Sequence, residues 1–297
     1  MLAASVAFLG ALVYGSADFL GGLAARRLRP LLVTAVAAFS GLLVLAVAFP
    51  VLGGVWRAED VAWGAASGIA GAVAVGLLYA CLAIGPMSVL SPLTAVVSAV
   101  APMLWGLLVE GERLAPIGYV GLVVAVVAIV LVAFLPGERI TRPSLKAVVM
   151  AVGSGVAIGA FLVLLDRTSA DSGVVPLLVN RAVAGTIASV VVLGAVAVAV
   201  RRGRAAASVL TSAENSSPAR RAWLLAVVCG CVDATANLLL VIALRSGGDL
   251  AVISALTALY PAGTVLLAAI VLREHIARVQ SVGLALALTA GVLLAVS

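Results

Sequence analysis

Charged side chains are scarce in this sequence. They make up 10% of its 297 residues, whereas hydrophobic residues make up 64% and the mean hydropathy is +1.29. A soluble domain carries about 25% charged residues, because its surface must face water. This chain has too few for that, so its exterior is predicted to face lipid. It also lacks a polar block long enough for a separate soluble domain, and its longest polar stretch, 201–221, is predicted to be a basic loop.

Residue types that bind metals or nucleotides are equally rare. The single histidine, His275, has no cysteine or second histidine beside it, and the glycine-rich run 64–76 lacks the lysine of a phosphate-binding loop. The three cysteines lie inside apolar runs, where small core residues are expected. The sequence therefore predicts no metal site, no nucleotide site and no resident cofactor. The cysteines are Cys81, Cys229 and Cys231.

Lysine is nearly absent, since 17 of the 18 basic residues are arginine. They lie mostly in short loops between apolar runs, which is typical of the positive-inside rule and excludes the basic face of a nucleic-acid-binding protein. The odd-numbered loops hold thirteen Arg or Lys residues and the even-numbered loops hold four. We therefore expect an inner-membrane protein in a lipid bilayer, with both termini outside.

Ten apolar runs are each about 20 residues long, enough for a helix to cross a hydrocarbon core of about 30 Å. We therefore expect an all-α polytopic membrane protein of about ten transmembrane helices. The narrowest break is Gly85-Pro86, where the proline favours a tight turn. The predicted spans are 2–25, 31–52, 61–83, 88–109, 116–135, 145–165, 174–200, 222–244, 250–272 and 277–296.

Two halves of the sequence share a weak internal repeat. The segment 89–95 aligns with 252–258, and the Pro-Leu-Leu at 30–32 aligns with the same triplet at 176–178. The alignment divides the chain into 1–136 and 141–297, with five helices each. Because five is odd, the second half would enter the membrane inverted, as in many transporters. The alternative is chance similarity among helices rich in Ala, Val and Leu.

Short motifs also match a known family. Because of these motifs, the span count and the repeat, the chain resembles the drug/metabolite transporter superfamily, specifically its ten-helix EamA-type proteins made of two five-helix repeats. The resemblance implies a secondary transporter whose first, third, fourth, sixth, eighth and ninth helices line a central cavity. It also implies termini on the inside, against the arginine count, and the chain departs from the repeat at Ala99, where the second half has Pro261. The motifs are YGSADF at 14–19, LYP at 259–261, GER at 111–113 and RE at 273–274.

Only three ionisable residues lie well inside the predicted spans, and such residues usually face a cavity or a partner. From the helix rise, Asp18, Asp233 and Arg181 lie about 12, 15 and 20 Å from one membrane face, so all three are expected in the middle third. Polar or small residues spaced four positions apart form a stripe through Asp18 and another through Asp233, each along one side of its helix. These stripes are Tyr14, Asp18 and Gly22 on helix 1, and Cys229, Asp233 and Asn237 on helix 8.

These residues give two hypotheses for the site. In the functional one, Asp233, Arg181 and Asn237 form the polar floor of a cavity, and Asp18 responds to a coupling proton or cation. In the structural one, Asp233 and Arg181 are a buried pair that fixes helix 7 to helix 8. The fourth and ninth helices add polar candidates for the same cavity, namely Ser91, Ser98, Ser254 and Thr264.

The function expected from these features is transport rather than enzymatic catalysis. We expect a secondary transporter, specifically an exporter, that moves a small metabolite, amino acid or drug across the inner membrane by alternating access. The alternative is an integral membrane enzyme such as a lipid-linked transferase, which needs clustered carboxylates for Mg²⁺, whereas no span here carries two. A scaffold or channel subunit would need neither the repeat nor the isolated charges.

Overall fold

The structure, a computed structural model, describes residues 2–84, 87–133, 143–205, 210–211, 219–273 and 277–296. The regular structure in these ranges is helical, with one isolated bridge between Leu28 and Thr211. A short 3₁₀ turn, Ala170–Ser172, precedes α7. The helices are α1 (Leu2–Ala25), α2 (Pro30–Leu52), α3 (Ala58–Ile84), α4 (Met87–Leu108), α5 (Pro116–Ala133), α6 (Leu145–Asp166), α7 (Val175–Arg201), α8 (Ala219–Arg245), α9 (Leu250–Thr257), α10 (Tyr260–Val271) and α11 (Arg278–Ala295).

The helices have the length and apolar character of membrane spans. Within the described ranges, nine helical segments are long and apolar enough to cross a bilayer, with α9 and α10 together counting as one. The remaining long helix, α4, has 22 residues and a shorter apolar stretch at 93–108. The expectation of an all-α, multi-pass membrane protein is confirmed.

The ninth predicted span is divided in the structure, and the single helix expected at 250–272 is wrong in that respect. It consists of α9 and α10, separated at Ala258 and Leu259. Pro261 explains the break, because proline has no N–H to donate to the carbonyl of Thr257 and its ring crowds that carbonyl. Hydropathy is continuous across the break, so a count of apolar residues does not reveal it. The predicted turn at 85–86, the junction of the halves and most of the loop 201–221 lie outside the described residues.

The helices pack in a small number of pairs. α1 packs along α8 and also against α9 and α10, while α6 packs along α3 and against α4. α2 contacts α7 and α8, α3 contacts α7, and α5 packs along α11. Over the described residues, α7 and α8 do not pack extensively against each other, so a gap separates their backbones. This gap contains the site described below.

Glycines permit the closest of these contacts, as is usual between helices in lipid. A Cβ at Gly15 would lie 2.3 Å from the Tyr260 carbonyl oxygen, where α1 crosses α10. A Cβ at Gly230 would lie 2.1 Å from the carbonyl oxygen of Ala37, where α8 crosses α2. These contacts fix α1 and α8, which carry most of the polar side chains of the site.

Candidate functional site

An ion pair joins α7 to α8 in the middle of the molecule. The Arg181 Nη2 donates to the Asp233 Oδ2 at 2.5 Å, and the two side chains are 14% and 23% exposed. Because the backbones of α7 and α8 do not pack closely, the long arginine side chain crosses the gap between them. The two residues, which the sequence places at similar depths, are therefore in direct contact.

Asn237 and Tyr14 adjoin this pair. The Asn237 Nδ2 donates to the backbone carbonyl of Asp233 at 2.8 Å, one helical turn away. This bond fixes the amide orientation, so the Asn237 Oδ1 is an acceptor, and it is buried without a partner. Tyr14 from α1 lies beside Asn237 and within electrostatic range of Arg181 and Asp233. Three helices thus contribute to one polar cluster.

Asp18 belongs to the same cluster but faces open space. It lies within electrostatic range of Asp233, and Tyr260 of α10 lies within range of Asp18. Its side chain is exposed although it lies mid-span. Leu9, 52% exposed, is nine residues away, or about two and a half turns, and so lies on the opposite side of α1. α1 therefore presents an apolar side to lipid and a separate accessible side, carrying Asp18, to the interior.

The open space beside Asp18 continues toward one end of the molecule. Gly22 follows Asp18 by one turn on the same side of α1, in the direction of Arg26. It is exposed, and a Cβ built on it would meet no atom within 4 Å. We call this end, where the odd-numbered loops lie, the arginine-rich face. From the exposure of Asp18 and Gly22 we infer that Asp18 lies in a cleft that extends toward the arginine-rich face.

The other end, which we call the acidic face, carries the even-numbered loops and is closed by polar contacts. Glu112, in the loop between α4 and α5, accepts hydrogen bonds from the backbone N–H groups of Leu250 at 2.5 Å and Ala251 at 2.9 Å. These are free donors at the start of α9, and a carboxylate is favourable there. Gly106 makes room for this contact, because a Cβ on it would collide with the Glu112 carboxyl group.

Further contacts at the acidic face involve the connection between α6 and α7. Asp60, at the start of α3, accepts from the Ser169 N–H at 2.7 Å and its hydroxyl at 2.6 Å. Arg245, at the end of α8, donates to the Gly173 carbonyl at 2.6 Å and the Ser172 hydroxyl at 2.8 Å. A cavity of about 190 Å³ lies beside Arg245, between the ends of α6 and α8. The acidic face therefore joins both halves of the chain.

The described hydroxyls among the predicted serine and threonine candidates bond to backbone carbonyls. Ser98 and Ser254 are buried, and their hydroxyls donate to carbonyls of their own helices, those of Ala95 and Ala251. Thr264 donates to the Gly15 carbonyl at 3.1 Å and so connects α10 to α1. The side chain of Ser91 lies outside the described residues. The cluster itself contains Tyr14, Asp18, Arg181, Asp233 and Asn237, all predicted from the sequence.

Sequence reasoning did not include two residues that the structure places at important contacts. Tyr260 was noted as part of a motif, not as a neighbour of Asp18. Glu112 was noted only within the GER motif at 111–113, whereas it caps α9, 138 residues further along the chain. The glutamate of the RE motif at 273–274, in the other half of the chain, was the available signal for an important role. Within the described residues, no group of three or more His, Cys, Asp or Glu could hold a metal ion.

Comparisons with known proteins identify the fold but not the family. No family model matches the chain, and no match was found among curated proteins. A solved structure described only as "Crystal structure of protein" has a TM-score of 0.74 to this chain, with 17% sequence identity. The match covers 99% of this chain and 98% of that chain. The whole molecule therefore has a fold already observed in another protein.

Proposed function

We propose that this protein is a secondary transporter of the EamA type, specifically an exporter of a small metabolite, amino acid or drug that works by alternating access. The observation that carries the proposal is the charged cluster at mid-span, in a cleft that extends to one face and is closed at the other. Charged groups in a membrane interior are costly and usually line a pathway for solutes or ions. A site accessible from one side at a time is what alternating access requires.

The helix packing supports the inverted repeat on which the proposal depends. If α1 to α5 correspond to α6, α7, α8, the α9–α10 pair and α11, the most extensive contacts of one half have counterparts in the other. α1 packs along α8 as α6 packs along α3, and α2 contacts α8 as α7 contacts α3. In addition, α2 contacts its own counterpart α7, and α5 contacts its own counterpart α11. This is the pattern expected of a pseudo-twofold axis.

Individual glycine contacts show the same correspondence between the two halves. Gly68 of α3 approaches Asn180 and Val183 of α7, and Gly230 of α8 approaches Ser40 and Ala37 of α2. The two glycines are 162 residues apart, and of their partners Val183 and Ala37 are 146 apart. The aligned Pro-Leu-Leu triplets at 30–32 and 176–178 are also 146 residues apart. The aligned segments 89–95 and 252–258 are 163 residues apart, one more than the two glycines. Such agreement supports a structural repeat over chance similarity.

One pair of corresponding threonines differs between the halves. Thr94 of α4 donates to the Ala151 carbonyl of α6 at 3.2 Å. Thr257 is its counterpart, 163 residues later, yet its hydroxyl is buried without a partner. A buried hydroxyl without a hydrogen bond is unfavourable. If the two halves exchange conformations during transport, Thr257 gains a bond to α1 in the other state as Thr94 loses its own.

The arginine distribution supports the orientation included in the proposal. The arginine-rich face lies in the cytoplasm and the acidic face outside, so both termini lie outside the inner membrane. In the conformation described here, the cleft then opens toward the cytoplasm. An exporter would collect its substrate in this state.

The proposal is tested with purified protein in liposomes under an imposed pH gradient. A mixture of cellular metabolites is added outside, and the solutes accumulated inside are compared by mass spectrometry with those in protein-free liposomes. We expect a small set of chemically related solutes to accumulate only when protein and gradient are both present. The Asp18→Asn variant should lose this accumulation, whereas Glu59→Gln, at an exposed position on the acidic face, should retain it. Identical solute profiles with and without protein would contradict the proposal.

One structural observation bears on the alternative that the protein is an integral membrane enzyme. The sequence has no span with two carboxylates, but the structure brings Asp18 and Asp233 together from different helices. Arg181 neutralises one of them, however, which leaves a poor site for Mg²⁺. The liposome experiment is therefore repeated with Mg²⁺ and lipid-phosphate donors, and turnover of a donor would favour the enzyme.

A further inference from the structure

The charges of the central cluster do not balance. Arg181 and Asp233 form an ion pair, which leaves Asp18 as an additional carboxylate at the same depth. Among the described residues, no Lys, Arg or His lies within 4 Å of Asp18. α8 and α10 approach Asp18 with Asp233 and Tyr260, and Arg181 from α7 is bonded to Asp233. The cluster therefore carries one net negative charge when its carboxylates are ionised.

A single negative charge at mid-span attracts one positive charge, because charges interact more strongly there than in bulk water. A proton on Asp18 satisfies this need, and so does one bound cation. Mg²⁺ or Ca²⁺ fits poorly, because each takes at least six oxygen ligands and only a few oxygens are available here. The charge balance thus favours a monovalent cation that competes with a proton.

The surroundings of Asp18 favour an organic cation. Tyr14 precedes it by one turn on the same side of α1, and Tyr260 approaches from α10. Aromatic faces attract ammonium groups and pack against apolar carbon. Asn237 lies beside Tyr14, but its Oδ1 is buried and so is not open to a ligand. A carboxylate and two aromatic side chains therefore form the set of groups suited to an ammonium ion with an apolar body.

We propose that Asp18 binds the ammonium group of a monovalent organic amine, and that each amine bound displaces one proton from the carboxyl group. The carboxylic acid releases its proton to water as the ammonium takes its place, so charge is conserved and no covalent bond to carbon changes. This inference depends on the proposed transport function for its physiological meaning. The binding step itself is independent of transport.

Binding is tested on the purified protein with three probes of similar aromatic body. These are phenethylamine, which is cationic, phenylalanine, which is zwitterionic, and 3-phenylpropionate, which is anionic. We expect phenethylamine to raise the melting temperature and 3-phenylpropionate to have no effect. In weakly buffered solution near neutral pH, phenethylamine should also release protons, which a pH indicator detects. Stabilisation by the anion, or none by the amine, would overturn the proposal.

Variants identify the group responsible. Asp18→Asn should weaken phenethylamine binding by at least about tenfold, as expected for the loss of a charged hydrogen bond, and should abolish proton release. Asp18→Glu keeps the charge and should retain both effects in part, which shows that a loss in the first variant is not misfolding. Glu59→Gln should behave as the wild type. Unchanged binding in Asp18→Asn would overturn the proposal.

The two proposals fail in different ways. If phenethylamine binds and releases protons but no solute crosses the membrane of the liposomes, the transport proposal fails and the amine site stands. If the accumulated solutes are anions whose transport does not require Asp18, transport stands and the amine site is wrong. The binding and transport measurements therefore give separate answers.

Discussion

At the scale of single residues, the Arg181–Asp233 pair is the most sensitive point of the site. Arg181→Gln leaves the Asp233 carboxylate without its partner in a largely buried position, so we expect a loss of about 3 to 5 kcal/mol in stability. The double variant Arg181→Gln with Asp233→Asn should recover most of this loss, because no charge is then left alone. Thermal unfolding in detergent measures both effects.

The surface pair Arg57–Asp171 provides the control for this comparison. Its atoms are 2.9 Å apart, but the two side chains are 50% and 67% exposed. Exposed pairs contribute about 0 to 1 kcal/mol, so Arg57→Gln should change stability little. Transport by the stable double variant then separates the two hypotheses. Normal transport would show that the Arg181–Asp233 pair is only structural, and loss of transport would assign it to the site.

Glu112 gives a second prediction at this scale, concerning pH. Burial raises the pKa of its carboxyl group, although the backbone N–H groups of Ala251 and Leu250 lower it in part. A pKa raised in the folded state gives stability that is fully present below the unfolded value of about 4.3 and is lost as pH rises through the folded pKa. The stability of the wild type relative to Glu112→Gln should therefore decrease as pH rises through that range. Melting temperatures measured across this range test it, and a relative stability that increases with pH would contradict it.

At the scale of helices, the contact of α1 with α10 determines how closely the cluster is assembled. In Gly15→Ala the new Cβ would lie 2.3 Å from the Tyr260 carbonyl oxygen and 2.7 Å from the Thr264 nitrogen. The helices must separate, so we expect a loss of about 1 to 3 kcal/mol and a weaker Thr264 hydrogen bond. Gly22→Ala, on the same helix, meets no atom within 4 Å and should gain about 0.5 to 1 kcal/mol from helix propensity. Equal melting temperatures for the two variants would contradict this account of the packing.

The helices also show which features the sequence could predict. Spans such as α1, at Leu2–Ala25, are recovered with their ends, because about twenty consecutive apolar residues have no other arrangement in lipid. The grouping of Asp18, Arg181 and Asp233 was predictable because helix rise converts sequence position into depth. The rotation of each helix about its own axis was harder to predict from the sequence. Ser98 and Ser254 lie on the predicted helices, but their hydroxyls bond to their own backbone, and no depth estimate could show this.

At the scale of the whole molecule, the difference between the two faces is the feature that sequence could not predict. The two halves have similar runs of apolar residues, so the apolar pattern does not determine which face is closed. Closure depends on a few contacts between the halves, above all the hydrogen bonds from α9 to Glu112. Such contacts join residues more than a hundred positions apart, and the apolar pattern does not indicate them.

The orientation in the membrane gives a final prediction at this scale. Gly111 lies at the acidic face and Gly203 at the arginine-rich face, with φ of 73° and 71°, and both are exposed with no atom within 4 Å of an added Cβ. Gly111→Cys and Gly203→Cys are therefore matched in backbone strain and in access. In intact cells, a membrane-impermeant maleimide should label the first variant, and the second only after permeabilisation. The wild type should stay unlabelled, because its cysteines lie within the spans. The reverse pattern would place the acidic face in the cytoplasm, and the cleft described here would then open outward.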